Sequence, residues 1–199
     1  CPVSEIDHSG QMIAVRTRRG VIAARKVIVT VSSALLAEEH LRFVPALLEK
    51  VEAAAALPLG LANKLFLSLE GAEEFEADSR VFGHGREAGT ASYHMRPFGR
   101  PLIEAYFGGS LADDLEREGG RAFVDFATHE LDGLLGSSFS SRLKPVHLSQ
   151  WRKDAYARGS YSYAVPGHHD DRAALAMPVD NRIFFAGEAC SVESFSTAH

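Results

Sequence analysis

Apolar and polar residues alternate from residue 12 to 17, Arg18-Arg19-Gly20 supplies a turn, and the apolar run Lys26-Val27-Ile28-Val29-Thr30-Val31 follows. The pattern predicts a hairpin whose last strand is buried on both faces. Ser32-Ser33 offers N-cap hydroxyls for a short helix over 34–39. Over 45–57, Leu47, Leu48, Val51 and Ala55 form one helical stripe, ended by Pro58-Leu59-Gly60. Residues 61–69 read as a strand, with Leu61, Asn63, Leu65, Leu67 and Leu69 on one face and Ala62, Lys64, Phe66 and Ser68 on the other. Further strands are expected over 80–84, 91–96, 102–107 and 146–151. An amphipathic helix is expected over 120–135 and a short helix over 172–177. Residues 152–167 are loop-like and rich in Tyr, Ser and Gly, and 182–186 form an apolar strand running into Gly187-Glu188. Helices and strands are mixed and no internal repeat is visible, which defines an α/β class.

Composition adds mainly exclusions. The chain has 199 residues, 46% hydrophobic and 24% charged, enough for a sizeable core. A net charge of -5, from 26 acidic and 21 basic residues, leaves no electrostatic footprint for nucleic acid or an anionic membrane. It is compatible with a cationic substrate. The two cysteines, Cys1 and Cys190, form neither a CxxC pair nor a disulfide framework, so a cytoplasmic location is expected. No apolar run approaches the ~20 residues of a membrane span. His168-His169-Asp170-Asp171 has adjacent spacing, which suits a solvated helix start better than a metal site. Ser, His and Asp are present without a G-x-S-x-G elbow, which argues against a hydrolase. The chain opens on Cys1-Pro2-Val3 and stops at Ser196-Thr197-Ala198-His199, and both ends read as interruptions of a longer polypeptide.

The tail carries the strongest chemical signal. Ile183-Phe184-Phe185-Ala186-Gly187-Glu188 is a strand ending in a glycine and a carboxylate, and Ser196-Thr197-Ala198-His199 reads as a helix start. A strand, a glycine turn and a helix N-terminus make a recurrent anion site, where Gly187 lets the backbone approach a phosphate and Glu188 accepts from ribityl or ribose hydroxyls. Spacing alone leaves that reading open beside an ordinary strand and turn, and favours the latter.

Phe185-Ala186-Gly187-Glu188 with Ser196-Thr197-Ala198-His199 resembles the C-terminal flavin motif of the monoamine oxidase, polyamine oxidase and lysine-specific histone demethylase superfamily. The segment from Gln150-Trp151-Arg152 to Gly159-Ser160-Tyr161-Ser162-Tyr163 is similar to that family's W-R-x-D-P-x-x-x-G-S-Y-S-Y block. Gly60-Leu61-Ala62-Asn63-Lys64 resembles its G-x-x-N-K strand, and Pro2-Val3 through Val31 its second flavin-domain hairpin. Four blocks in family order span nearly the whole chain. The resemblance is to a bacterial-type FAD-dependent amine oxidoreductase.

The resemblance implies a two-domain fold, a dinucleotide-binding domain plus a mixed-sheet substrate domain. Residues 1–55 and 153–199 would belong to the first and 56–152 to the second. The N-terminal Rossmann segment, with its G-x-G-x-x-G, is absent. Val3 would meet adenine through its backbone, and Trp151 would lie near the flavin ring. Lys64 would hold a water beside flavin N5. Ser160 stands where monoamine oxidases carry a flavin-linked cysteine, so FAD would be non-covalent. Tyr161 would form one wall of an aromatic cage, and Thr197 the opposite wall, reduced to a short hydroxyl. The implied reaction is hydride transfer from an amine α-carbon to flavin N5, imine hydrolysis, and reoxidation by dioxygen. The rest of the polypeptide would be needed for a complete FAD site. Departures include Ala155 where relatives have proline, Ser32-Ser33 after the strand, and Cys190 in place of threonine. A desaturase or protoporphyrinogen-oxidase-like enzyme and a non-catalytic scaffold of the same fold are the alternatives.

Overall fold

A computed structural model describes residues 1–85 and 89–196. These divide into two compact units, 1–60 with 154–199, and 61–153.

In the first unit, β1 (Val3–Asp7) pairs antiparallel with β2 (Ile13–Thr17), and β2 with β3 (Gly20–Ala24). The turn at Arg18-Arg19-Gly20 forms as expected, with Gly20 at φ 131°. Its return strand is β3 rather than the apolar run that follows. That run forms β4 (Val27–Val29) in a separate sheet, and Ile28 is 66% exposed, so burial on both faces is not observed. Strand pairing is non-local, and a contiguous apolar run does not reveal which strand it will meet.

α1 (Ser33–Ala37) follows. Ser32 sits at its N-cap without a capping hydrogen bond, and the Ser32 Oγ is buried with no partner. Ser33 Oγ instead donates to Leu57 O at 2.6 Å. β5 (Arg42–Val44) pairs parallel to β1. α2 (Leu48–Ala55) starts later than expected, because Leu47 is non-helical at φ -107°, ψ 68°. Its buried face is Lys50, Ala53 and Ala54, not the stripe of larger residues.

The second unit is an antiparallel sheet of β6 (Ala62–Leu69), β7 (Ser79–Phe82), β8 (Ser92–Met95) and β9 (Leu102–Gly108), then α3 (Gly109–Glu118), α4 (Gly120–Leu135) and β10 (Leu143–Leu148). The strand order is β10-β6-β9-β8-β7. Alternation along β6 and β9 builds two faces. Leu65, Leu67, Ile103, Ala105 and Phe107 are buried with Ala112, Phe123, Ala127 and Leu131 of the helices. Phe123 meets Phe107 edge-on at 5.1 Å. Each buried Leu, Ile or Phe among them contributes roughly 1.5–3 kcal/mol by leaving water. Register places Lys64 beside Tyr106, and Phe66 beside Glu104, on the other face. β10 lies earlier than the expected 146–151, since Leu143 pairs with Leu69 and Leu148 with Leu65, leaving Trp151 beyond the strand.

The chain then returns to the first unit with α5 (Asp171–Ala176) and β11 (Ile183–Phe185). β11 pairs parallel to β4, Ile183 with Val27 and Phe185 with Val29. Lys50 is buried because its Nζ donates to the carbonyls of Ala174, Leu175 and Met177 at the end of α5, where a cation suits the helix dipole. Val29, Leu36, Leu57, Leu175, Ile183 and Phe185 share this unit's core. The class is the expected mixed α/β.

Candidate functional site

The parallel pair β4–β11 sets the first site. In open α/β sheets, ligands bind outside the carboxyl ends of the strands. Here both carboxyl ends enter turns around a cavity of about 220 Å³ lined by Val31, Ser32, Ser160, Gly187 and Glu188 among others. Ala186 N donates to Val29 O at 3.0 Å, holding the two strand ends together. Gly187 has φ 129°, and a Cβ built there would meet no heavy atom within 4 Å, so its backbone faces open space. A second cavity, of about 450 Å³, is lined by Val3, Arg18 and His40, and it shares Val31 with the first.

The loop carrying Ser160 and Tyr161 is extended and bonded to the end of the α2 segment. Ser160 N donates to Gly60 O, Gly60 N to Tyr161 O, and Tyr163 N to Pro58 O. Approach is close enough that a Cβ on Gly159 would stand 2.4 Å from the Leu59 Cβ, which accounts for glycine there. Glu188 reaches this loop. Its Oε1 accepts from Ser162 N at 2.9 Å, and its Oε2 from Ser162 Oγ at 3.0 Å and Ser196 N at 3.1 Å. The carboxylate is thus occupied largely by its own chain, a structural role that the sequence reading did not include. Tyr161 is 38% exposed. Thr197, the second expected wall, lies outside the described residues.

In the second unit, Lys64 is on the exposed side of β6, 46% accessible, with Nζ 2.6 Å from Glu104 Oε1. Lys64 is therefore solvated and paired. The neighbouring Asn63 is fully buried; its Nδ2 donates to Glu116 Oε2 at 2.7 Å and its Oδ1 accepts from Trp151 N at 3.2 Å. Glu116 Oε1 also accepts from Lys153 N at 2.9 Å. Asn63 and Glu116 so fasten the strand-end segment carrying Trp151, itself 42% exposed, to β6.

The first unit thus gathers Ser160, Gly187 and Glu188 around one cavity and sets Val3 on the adjoining one. Lys64 and Trp151 belong to the other unit. Sequence reasoning missed Glu104, Glu116, Ser162 and Arg172. Only long-range pairing marks them, apart from Ser162, which was visible within the Ser-Tyr-Ser block. Among the described residues, no group of three His, Cys, Asp or Glu is placed to hold a metal, and no helix is long and apolar enough to cross a membrane.

Parallel strand ends, a glycine turn and adjoining cavities are the arrangement in which α/β units bind ligands. The chain belongs to the flavin containing amine oxidoreductase family, which matches residues 1–199. It is 32% identical over 196 residues to Polyamine oxidase 2 of Arabidopsis thaliana, covering 94% of this chain and 39% of that protein. It is 31% identical over 184 residues to Polyamine oxidase 3 of Oryza sativa subsp. japonica, covering 88% and 37%. It is 29% identical over 208 residues to Lysine-specific histone demethylase 1 homolog 1 of the same rice, covering 99% and 24%. The chain therefore spans less than two fifths of the length of these relatives.

Family membership implies FAD, and the residues present fit it. The orphaned Ser32 Oγ in the first cavity is a buried hydroxyl that lacks a partner. The open Gly187 backbone admits a close ligand. The two cavities adjoining at Val31 suit an elongated molecule.

Proposed function

We propose that this chain serves an FAD-dependent amine oxidase, cytoplasmic in location, with FAD held non-covalently. The observation that carries the reading is the cavity at the carboxyl ends of β4 and β11, floored by Gly187 and walled by Ser160 and Glu188. Gly187 would admit the cofactor's backbone-facing part, Ser32 and Ser160 would offer it hydroxyls, and Val3 would border its adenine end. The chemistry FAD supplies when bound is acceptance of two electrons and a proton from the amine. Overall, an amine R₂CH–NHR′ and dioxygen give the imine R₂C=NR′ and hydrogen peroxide, and water then hydrolyses the imine.

The chain's own groups have separate tasks. The Tyr161 ring would orient the amine, since an aromatic face attracts alkylammonium and excludes water beside it. Thr197 would stand as the second, smaller wall. The Lys64 ammonium, steered by Glu104, would hold a water or dioxygen near the developing charge. Trp151, fixed through Asn63, would border the ring system. No protein base is needed to take a proton from carbon, because the neutral amine's lone pair assists the C–H cleavage.

The first test is the state of the cofactor. The intact protein should be yellow, and acid precipitation should release the flavin into the supernatant, because Ser160 has no thiol to bond it. A yellow pellet would contradict non-covalent binding. A colourless protein that ignores added FAD would contradict the whole reading.

A further inference from the structure

We infer that Arg172 is a positioning residue that ties the Tyr161 loop to the tail at Ala189 and Phe195, and so sets where the Tyr161 ring stands in the amine pocket. The inference rests on the reading that Tyr161 walls that pocket.

Arg172 lies in α5 and is 1% exposed, the largest fully buried side chain of the chain's described part. Its guanidinium is directed at neutral oxygens. Nη1 donates to Ser162 Oγ at 2.8 Å and to Ala189 O at 3.3 Å, and Nη2 donates to Ser162 O at 3.3 Å. The Phe195 ring lies over the guanidinium, 4.4 Å from its carbon to the centroid. The fork therefore touches both the loop, at Ser162, and the tail, at Ala189 and Phe195.

Loop and tail are also bonded to each other around this charge. Ser162 Oγ accepts from Arg172 and donates to Glu188 Oε2, so the guanidinium and the carboxylate face each other through one hydroxyl. The same Oε2 accepts from Ser196 N, and Ser196 Oγ donates back to Ser162 O at 3.1 Å. Ser162 follows Tyr161 directly, so that wall is one peptide bond from the knot.

Stability alone does not explain a charge here. Burying a guanidinium costs more than neutral acceptors return, and an apolar side chain of similar size often serves a core as well or better. A planar fork does what an apolar residue cannot, because it holds several acceptors on two segments in one plane. Lysine, with one donating atom, cannot reproduce that plane.

The test compares Arg172→Met and Arg172→Lys in the intact protein with FAD added. Amide exchange at Ser162 and Ser196 should accelerate together, by roughly tenfold or more, in both variants, while exchange in the β4–β11 core stays near wild type. KM for the amine should rise roughly tenfold with a smaller change in kcat, because the Tyr161 wall is displaced and the chemistry is not. Unchanged exchange at both serines, or unchanged KM, in Arg172→Lys would overturn the inference. If Arg172→Met does not fold, Arg172→Lys alone decides, since it keeps the charge. A wild type that no amine bleaches would overturn the amine-pocket reading instead, a failure visible before either variant is made.

Discussion

Lys64 and Glu104 form an ion pair at 2.6 Å in which the lysine remains 46% exposed. Such a pair is worth on the order of 0–1 kcal/mol to folding, and in the proposed mechanism its task is to aim the ammonium. Lys64→Met should therefore slow flavin turnover by roughly 10²-fold while moving the unfolding midpoint little. Stopped-flow reduction and reoxidation traces would check it, and unchanged turnover would remove Lys64 from the mechanism. Glu104→Gln should act in the same direction and more weakly. At Gly159, alanine would drive a Cβ to 2.4 Å from Leu59, so Gly159→Ala should destabilise by about 1–3 kcal/mol and displace the Tyr161 loop. Of these residues, Lys64, Tyr161, Gly187 and Glu188 were legible because each sits in a contiguous block. Glu104 and Arg172 were not, because nothing in their own neighbourhoods marks them. A glutamate in an alternating strand and an arginine in a short helix both read as solvated until register and packing bring them inward.

Element by element, legibility followed locality. β6 and α4 were readable because each carries its own period, 2 along the strand and 3.6 along the helix. The partner of β4 was not, because parallel pairing with β11 joins distant segments. α3 was not visible either, since few of its residues are apolar and its outer face is charged, Arg117 pairing with Asp113 and Asp114. In α2 the apolar stripe misled, because Lys50 turns inward to cap α5. Packing of α4 on the sheet centres on Phe123, so Phe123→Ala should cost roughly 3–5 kcal/mol, measured as a drop in the urea midpoint. The end of α4 is tied by Asp132, which accepts from the Ser140 Oγ and N, both at 2.7 Å. These bonds, the hydroxyl's first, hold its carboxyl below the ordinary aspartate range. A depressed folded pKa gives stability that is present above the unfolded value, about 3.9, and lost as pH falls through the folded one. Asp132→Asn should lower stability at neutral pH and flatten its loss below about pH 4. An unchanged acid slope would contradict the assignment.

For the whole molecule, the order of motif blocks was more informative than any block alone. Each block taken singly has an ordinary structural reading: a strand, a turn, a tyrosine in a loop. The structure gives several of them physical reasons, among them the glycine that admits Leu59, the buried Asn63 beside Lys64, and the Glu188 that ties loop to tail. What remained illegible was the pocket's occupant, because it depends on distances between side chains and not on their order in the chain. The measurement that reaches this most directly is the visible spectrum of the intact protein during anaerobic titration with a panel of mono-, di- and polyamines. The account expects flavin bands that bleach with at least one amine and return when air is admitted. A flavin that stays oxidised with every amine would contradict it and point to a desaturase-like reaction on the same fold.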